Sequence, residues 1–290
     1  MGIALGTVQF GLDYGINNAA GKVQAGEVKK ILDFARQYGV QYIDTASSYG
    51  DSEEVLGRYF QGNDKGYKVI SKLNPIDVYQ PDVVQKNVDA SLKRLSLDSL
   101  YGYLVHRFKD FMNAPQIMDD LNEAKKSSKV QKVGFSLYSP MELDELLAKD
   151  VNFDMVQFPY SVFDRRFEPY FERLKAKDVE IHVRSVFLQG LAFMDGRTLP
   201  TFLKSAEAQL NKLEETARKN GLSHQDICLN FGLMNFNVDQ VVFGVDSLDQ
   251  LKNNLASLDK MSGVMKIKEQ LKEIEIKDEK ILLPYLWSKK

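Results

Sequence analysis

Four side chains capable of acid–base chemistry arrive early in the chain, each at or just past the end of an apolar run. YID delivers Asp44, the loop TASSYG delivers Tyr49, VISK delivers Lys72 and LVH delivers His106. A tyrosine is a poor acid at neutral pH, with an ordinary pKa near ~10. It protonates a developing alkoxide efficiently only when something lowers that value. A lysine ammonium beside it favours the phenolate, and an aspartate can hold that ammonium in place. The histidine suits the orientation of a carbonyl oxygen. Taken singly, each has a structural explanation: Asp44 as a turn cap, Tyr49 as a rim aromatic, Lys72 as a solvated strand end, His106 as a satisfied core imidazole. Taken together, four polar side chains at adjacent strand ends would be costly unless they pair, and this favours a catalytic group.

The elements that must position them alternate along the whole chain. Short β-branched or aromatic runs predict strands at 3–7, 40–44, 67–72, 99–105, 131–135, 153–157, 179–184 and 240–243. Amphipathic stretches predict helices at 26–38, 52–61, 81–95, 114–127, 140–149, 168–177, 201–220 and 248–259, with an extra one at 224–234. Ser139 followed by Pro140, and Ser223 followed by Asp226, read as helix starts, while Gly39 and Gly221 stand where C-terminal caps belong. Eight strands alternating with helices predict an α/β fold, a (β/α)8 TIM barrel in a single domain over 1–290, with 262–290 as a tail packing on the barrel. In such barrels the active site lies at the C-terminal strand ends, where Asp44, Lys72 and His106 fall. The tail reads as an exposed charged helix that ends in ILLPYLW, so Trp287 is either a packing anchor or a substrate contact.

The order and local sequence of the four residues resemble the aldo-keto reductase superfamily: Asp44-Thr45-Ala46, Tyr49-Gly50, then Lys72 and His106. The resemblance extends to LGTVQFG at 5–11, VGFS at 133–136, VQF at 156–158, SVFLQGL at 185–191 and VVFGVDSLDQLKNN at 241–254. It implies reduction of an aldehyde or ketone by a nicotinamide dinucleotide. Tyr49 would donate the proton, Lys72 lower its pKa, Asp44 hold Lys72 and His106 position the oxygen. It also implies a cofactor site of Ser136, Gln157, Arg184, Ser185, Gln189, Gly244, Asp246, Gln250, Asn253 and Asn254. Three departures stand out. Leu137 replaces the asparagine that usually follows the serine; Arg184 replaces an aromatic and could stack on the nicotinamide or bind an anionic substrate group; Asp246 stands where a basic residue often meets the 2′-phosphate. NADP(H) is the expected cofactor, with NAD(H) as the alternative. With the first strand expected from Ile3, the N-terminal hairpin that commonly plugs the barrel bottom in the family is not expected ahead of it, and the tail or a partner chain is expected to cover that end.

The opening LGTVQFGLDYGINN is similar to bacterial members associated with sugar and surface-polysaccharide metabolism, which implies a small-molecule carbonyl substrate of carbohydrate origin. A nucleotide-binding scaffold barrel with little turnover is the alternative, as in the related potassium-channel β-subunits. A formal net charge of −2 gives no electrostatic reason for a nucleic-acid or membrane partner. No run of ~18 apolar residues could span a bilayer, and Cys228 is the single cysteine, so the cytoplasm is the expected compartment. His106, His182 and His224 are far apart and form no metal-binding motif, so no metal is expected; Cys228 lies in an apolar helical pattern and is expected in the core.

Overall fold

Eight parallel strands close on themselves in chain order: β1 (Gly2–Gly6), β2 (Tyr42–Asp44), β3 (Lys68–Lys72), β4 (Leu100–Val105), β5 (Val130–Ser136), β6 (Met155–Pro159), β7 (Glu180–Arg184) and β8 (Gln240–Gly244). Closure is by β1 on β8, in register from Gly2 opposite Gln240 to Gly6 opposite Gly244. This computed structural model describes residues 2–18, 20–61 and 66–287. Every strand lies within a residue or two of its predicted span, because β-branched runs flanked by polar turns suit strands buried on both faces. Among the described residues no helix is long and apolar enough to cross a membrane.

The helical expectations hold in place and break in detail. Ala25–Gln37, Ser52–Phe60, Val83–Leu95, Pro140–Ala148, Glu207–Asn220 and Leu248–Ala256 are α-helical, with 3-10 turns at Glu168–Tyr170, Thr201–Ala206 and Ser257–Lys260 where longer helices were expected. The 114–127 prediction shortens to Ile117–Lys126, and Phe108–Asn113 forms a separate helix after β4. Ser139 and Ser223 each close a capping box, with Glu142 and Asp226 respectively. Gly221 caps its helix in the left-handed conformation, and Cys228 is buried.

Alternation at period two sorts the barrel interior into layers. Ile70, Leu104 and Met155 form an apolar middle layer. Near the strand starts lies a polar floor, where Glu180 pairs with Lys132, accepts from Tyr101 Oη at 2.7 Å and lies 2.7 Å from His182 Nε2. Two residues past Ile70 and Met155 lie Lys72 and Gln157 at the mouth. The described part of the tail makes contacts on the mouth side of the barrel. It runs past the mouth: Ile276 N donates to Phe163 O, Arg166 pairs with Glu279 at 2.9 Å, and the Tyr285 and Tyr138 rings meet edge-on at 5.3 Å. The tail is not an exposed charged helix. It breaks into the short α-helices Met261–Lys266 and Glu279–Leu282 and the 3-10 turns Gln270–Ile274 and Pro284–Leu286, because Val264, Ile267, Leu271, Ile274 and Ile276 are all drawn into the core. Trp287 packs against that core and donates from Nε1 to Ile281 O at 3.1 Å, so it anchors the tail.

Candidate active site

Lys72, the last residue of β3, is fully buried. Its ammonium donates to Asp44 Oδ1 at 2.6 Å and to Thr45 O at 2.8 Å, which leaves one N–H. The second oxygen of Asp44 accepts from Gln157 Nε2 at 2.7 Å. One carboxylate therefore joins a lysine on β3 to a glutamine on β6 across the mouth. The Tyr49 ring centroid lies 5.0 Å from Lys72 Nζ and 5.8 Å from the His106 ring, nearly perpendicular to it. Ser48 Oγ lies 3.1 Å from His106 Nδ1. With the hydroxyl donating there, a neutral imidazole keeps Nε2–H as a free donor.

The loop that carries Tyr49 is seated backbone on backbone. A Cβ on Gly11 would lie 1.8 Å from Tyr49 O, and one on Gly50, at φ +57°, would lie 2.2 Å from Gly11 O. Only glycine permits this approach. Beneath it Thr7 Oγ1 donates to Asp44 O, Ser52 Oγ donates to Thr7 O, and Thr45 Oγ1 lies 3.1 Å from Ser52 Oγ. These buried hydroxyls fasten the end of β1 to the β2 loop.

Burial acts on Tyr49, Lys72 and His106. It raises the Tyr49 phenol well above its ordinary value; the Asp44 charge adds to this and the Arg184 charge opposes it. Burial also lowers the Lys72 ammonium, an effect that Asp44 opposes by charge and hydrogen bond. His106 is pushed down to about 3 by burial and then by the cations Lys72, Arg184 and Arg107. The imidazole is thus neutral at physiological pH, and the phenol keeps its proton. Because the Lys72 charge is compensated by Asp44, Arg184 is the cation that pulls on Tyr49 in this geometry.

The expected cofactor residues lie along the strand ends from β5 to β8. Ser136 and Gln157 are register neighbours on β5 and β6 and both are buried. Gln157 Oε1 is buried without a hydrogen-bond partner. Arg184 ends β7 with its guanidinium 4.1 Å from the Tyr138 ring centroid. The following loop is strained, with Ser185, Leu188 and Gln189 at positive φ, and Gln189 O accepts from Ile16 N at 3.0 Å. Gly244 ends β8 beside Gln9, whose Oε1 is a second buried oxygen without a partner. Asp246 accepts from Asn18 Nδ2 at 3.2 Å and Gln250 Nε2 at 3.3 Å, and its own N–H donates to Gln250 Oε1 at 2.8 Å. Asn253 is exposed and Asn254 buried on the Leu248–Ala256 helix.

Several mouth residues were not singled out from sequence. Ser48 touches His106, the Thr45 carbonyl holds Lys72, and Tyr14 and Tyr138 share an electrostatic neighbourhood with Tyr49 and Arg184. A signal for them existed. Tyr138 stands two residues past the end of β5, and Tyr14 lies in the segment that follows β1, the same position rule that singled out Tyr49 after β2.

A closed (β/α)8 barrel with a buried lysine–aspartate pair, a tyrosine and a neutral histidine at its C-terminal mouth defines a class of acid–base barrel enzymes. Comparison with known proteins places the chain within that class. Residues 2–277 match the aldo/keto reductase family model, and the chain belongs to that family of NAD(P)H-dependent oxidoreductases. It is 24% identical to the L-galactose dehydrogenase of Arabidopsis thaliana, over 94% of this chain and 91% of that one. It is also 24% identical to the L-glyceraldehyde 3-phosphate reductase of Escherichia coli, over 87% of this chain and 84% of that one. The holo form of an aldo-keto reductase from Bacillus halodurans superposes with a TM-score of 0.72 at 22% identity, covering 91% of each chain.

Proposed function

We propose that this protein reduces the carbonyl of a sugar or sugar-derived aldehyde or ketone, with Tyr49 as the proton donor. The observation that carries the reading is the buried chain Lys72–Asp44–Gln157, which binds the acid–base group to the strand ends where a cofactor would lie. The residues present suit a nicotinamide. Gln157 Oε1 is an unpartnered buried acceptor and Ser136 is the register neighbour of Gln157 on β5, and a carboxamide offers both a donor and an acceptor to such a pair. Leu137 adds no side-chain amide there. When bound, the dinucleotide supplies the hydride that the carbonyl carbon accepts.

The chain's own residues do the rest. The His106 Nε2–H holds the carbonyl oxygen, and its neutrality keeps it from competing as an acid. The Tyr49 phenol gives its proton to that oxygen as charge develops, and the resulting phenolate is stabilised by Arg184, with the compensated Lys72 ammonium 5.0 Å from its ring centroid, before solvent reprotonates it. Asp44 keeps Lys72 charged in a site that otherwise disfavours charge. Carbohydrate chemistry is supported by the names of two relatives, one acting on L-galactose and one on L-glyceraldehyde 3-phosphate. On the nucleotide side Asp246 is the main discriminator we infer. A carboxylate there would repel a 2′-phosphate and suit a free ribose hydroxyl, which weighs against NADP(H) and toward NAD(H).

Fluorescence titration with NADPH and NADH, followed by turnover on a panel of aldoses and short aldehydes, tests the reading. Binding of at least one dinucleotide with multiple turnovers is expected. Failure to bind either, or oxidation of bound cofactor without further turnover, would reject it.

A further inference from the structure

The charges at the mouth do not cancel. Lys72 is neutralised by Asp44 and His106 is uncharged, but Arg184 brings a guanidinium that meets no carboxylate among the described residues. Its Nη2 donates to Leu137 O at 3.0 Å and its Nη1 to Ser185 Oγ at 3.2 Å. These bonds use two of five N–H donors and fix the plane of the group without neutralising it. The Tyr138 ring lies under it at 4.1 Å, and the exposed Tyr285 ring meets Tyr138 at right angles, 5.3 Å between centroids. A partly buried cation left without a counter-charge is expensive, and an aromatic face recovers only part of that cost.

We propose that Arg184, seated on Tyr138, is an oxyanion subsite of the substrate pocket, and that the preferred substrate carries a carboxylate or phosphate on the chain that bears its carbonyl. This rests on the carbonyl-reducing reading above and names the substrate class for it. Two observations and one electrostatic argument direct the guanidinium toward substrate. First, its charge acts on Tyr49, Lys72 and His106, the groups at the reacting end, and on Tyr14 beside them. Second, Arg184 stands at the C-terminal end of β7, the mouth side of the barrel, and the row Arg184, Tyr138, Tyr285 runs from that strand end to an exposed ring. Third, a fixed cation near a nicotinamide would penalise its positively charged oxidised form, so a counter-anion on the substrate restores the balance. The planar fork suits a bidentate carboxylate or phosphate better than an ammonium would.

The test compares two matched pairs, succinic semialdehyde with butyraldehyde and glycolaldehyde phosphate with glycolaldehyde, in the wild type, Arg184→Met and Arg184→Lys. Cofactor affinity is titrated in parallel. The wild type is expected to favour the anionic member of one pair by roughly 10- to 100-fold in kcat/KM, the range of a charge-assisted hydrogen-bonded contact. The pair that shows it identifies carboxylate or phosphate as the source. Arg184→Met should collapse that ratio, and Arg184→Lys should keep part of it. A wild-type ratio near one in both pairs, a ratio preserved in Arg184→Met, or a loss of cofactor affinity as large as the loss of ratio would each overturn the proposal. If no carbonyl compound is reduced at all, the carbonyl-reducing reading is what fails. Calorimetry with succinate and inorganic phosphate on the cofactor-loaded protein then decides the subsite: saturable binding lost in Arg184→Met sustains it, and no binding overturns it.

Discussion

Replacing Tyr49 by Phe separates chemistry from architecture at this site. Among the described residues the phenol makes no hydrogen bond, while its ring contacts His106 edge-on and lies 5.0 Å from Lys72 Nζ. The substitution therefore keeps the packing and leaves no buried donor or acceptor stranded, so the cost to stability is expected below about 1 kcal/mol, a Tm change of a few degrees at most. Cofactor affinity should be unchanged, since the Gln157 and Ser136 contacts are not disturbed. What is lost is the proton donor. General acid catalysis is worth about 10²- to 10⁴-fold, or roughly 3–5 kcal/mol of transition-state stabilisation. The assay is steady-state reduction of the best aldehyde with the cofactor signal followed directly, alongside a melting curve and a cofactor titration on the same preparation. KM should move little, because the His106 donor remains. A variant keeping more than about a tenth of wild-type kcat would refute Tyr49 as the acid. A Tm drop beyond about 5 °C would show instead that the hydroxyl is structural.

Lys72→Met leaves the Asp44 carboxylate buried with only the Gln157 amide and should destabilise by about 3–5 kcal/mol; adding Asp44→Asn should recover much of that in a urea titration without restoring turnover. His106, held near 3, takes up a proton on unfolding between pH 3 and 6.5, so stability is lost as pH falls below about 6.5; between pH 7 and 5 the wild type should lose about 1–2 kcal/mol more than His106→Gln, and equal losses would contradict the shift. Gly11→Ala places a methyl 1.8 Å from the Tyr49 carbonyl and should lower kcat by roughly 10- to 100-fold through displacement of the phenol, with cofactor affinity intact. Asp246→Arg should shift the NADPH-to-NADH affinity ratio toward NADPH, and an unchanged ratio would remove Asp246 from the ribose site.

The strands were legible because each is a short apolar run between polar turns, a signal confined to a few neighbouring residues. The gathering of Asp44 and Lys72 was legible through strand order, since parallel register brings strand ends to one mouth, whereas Gln157 was expected only through the family resemblance. The bonds among the three were not legible. Asp44 and Gln157 are 113 positions apart, and nothing in local spacing says that one carboxylate serves two partners. The tail shows the same limit. Its charges suggest exposure, but burial of Ile267, Leu271 and Ile274 decides its path and carries Tyr285 to the mouth. The Tyr49 expectation also depended on geometry. A lysine nearby was foreseeable, whereas its neutralisation by Asp44 and the pull of Arg184 instead are three-dimensional facts.

Gln157 has one further consequence. Its amide nitrogen grips Asp44 while its oxygen is the buried acceptor available to a ligand, and both ends belong to a single rigid plane. A ligand that draws on the oxygen polarises the nitrogen and strengthens its hold on the carboxylate. Ligand binding at one end and the grip on the Asp44–Lys72 pair at the other are then thermodynamically linked, and reciprocally so.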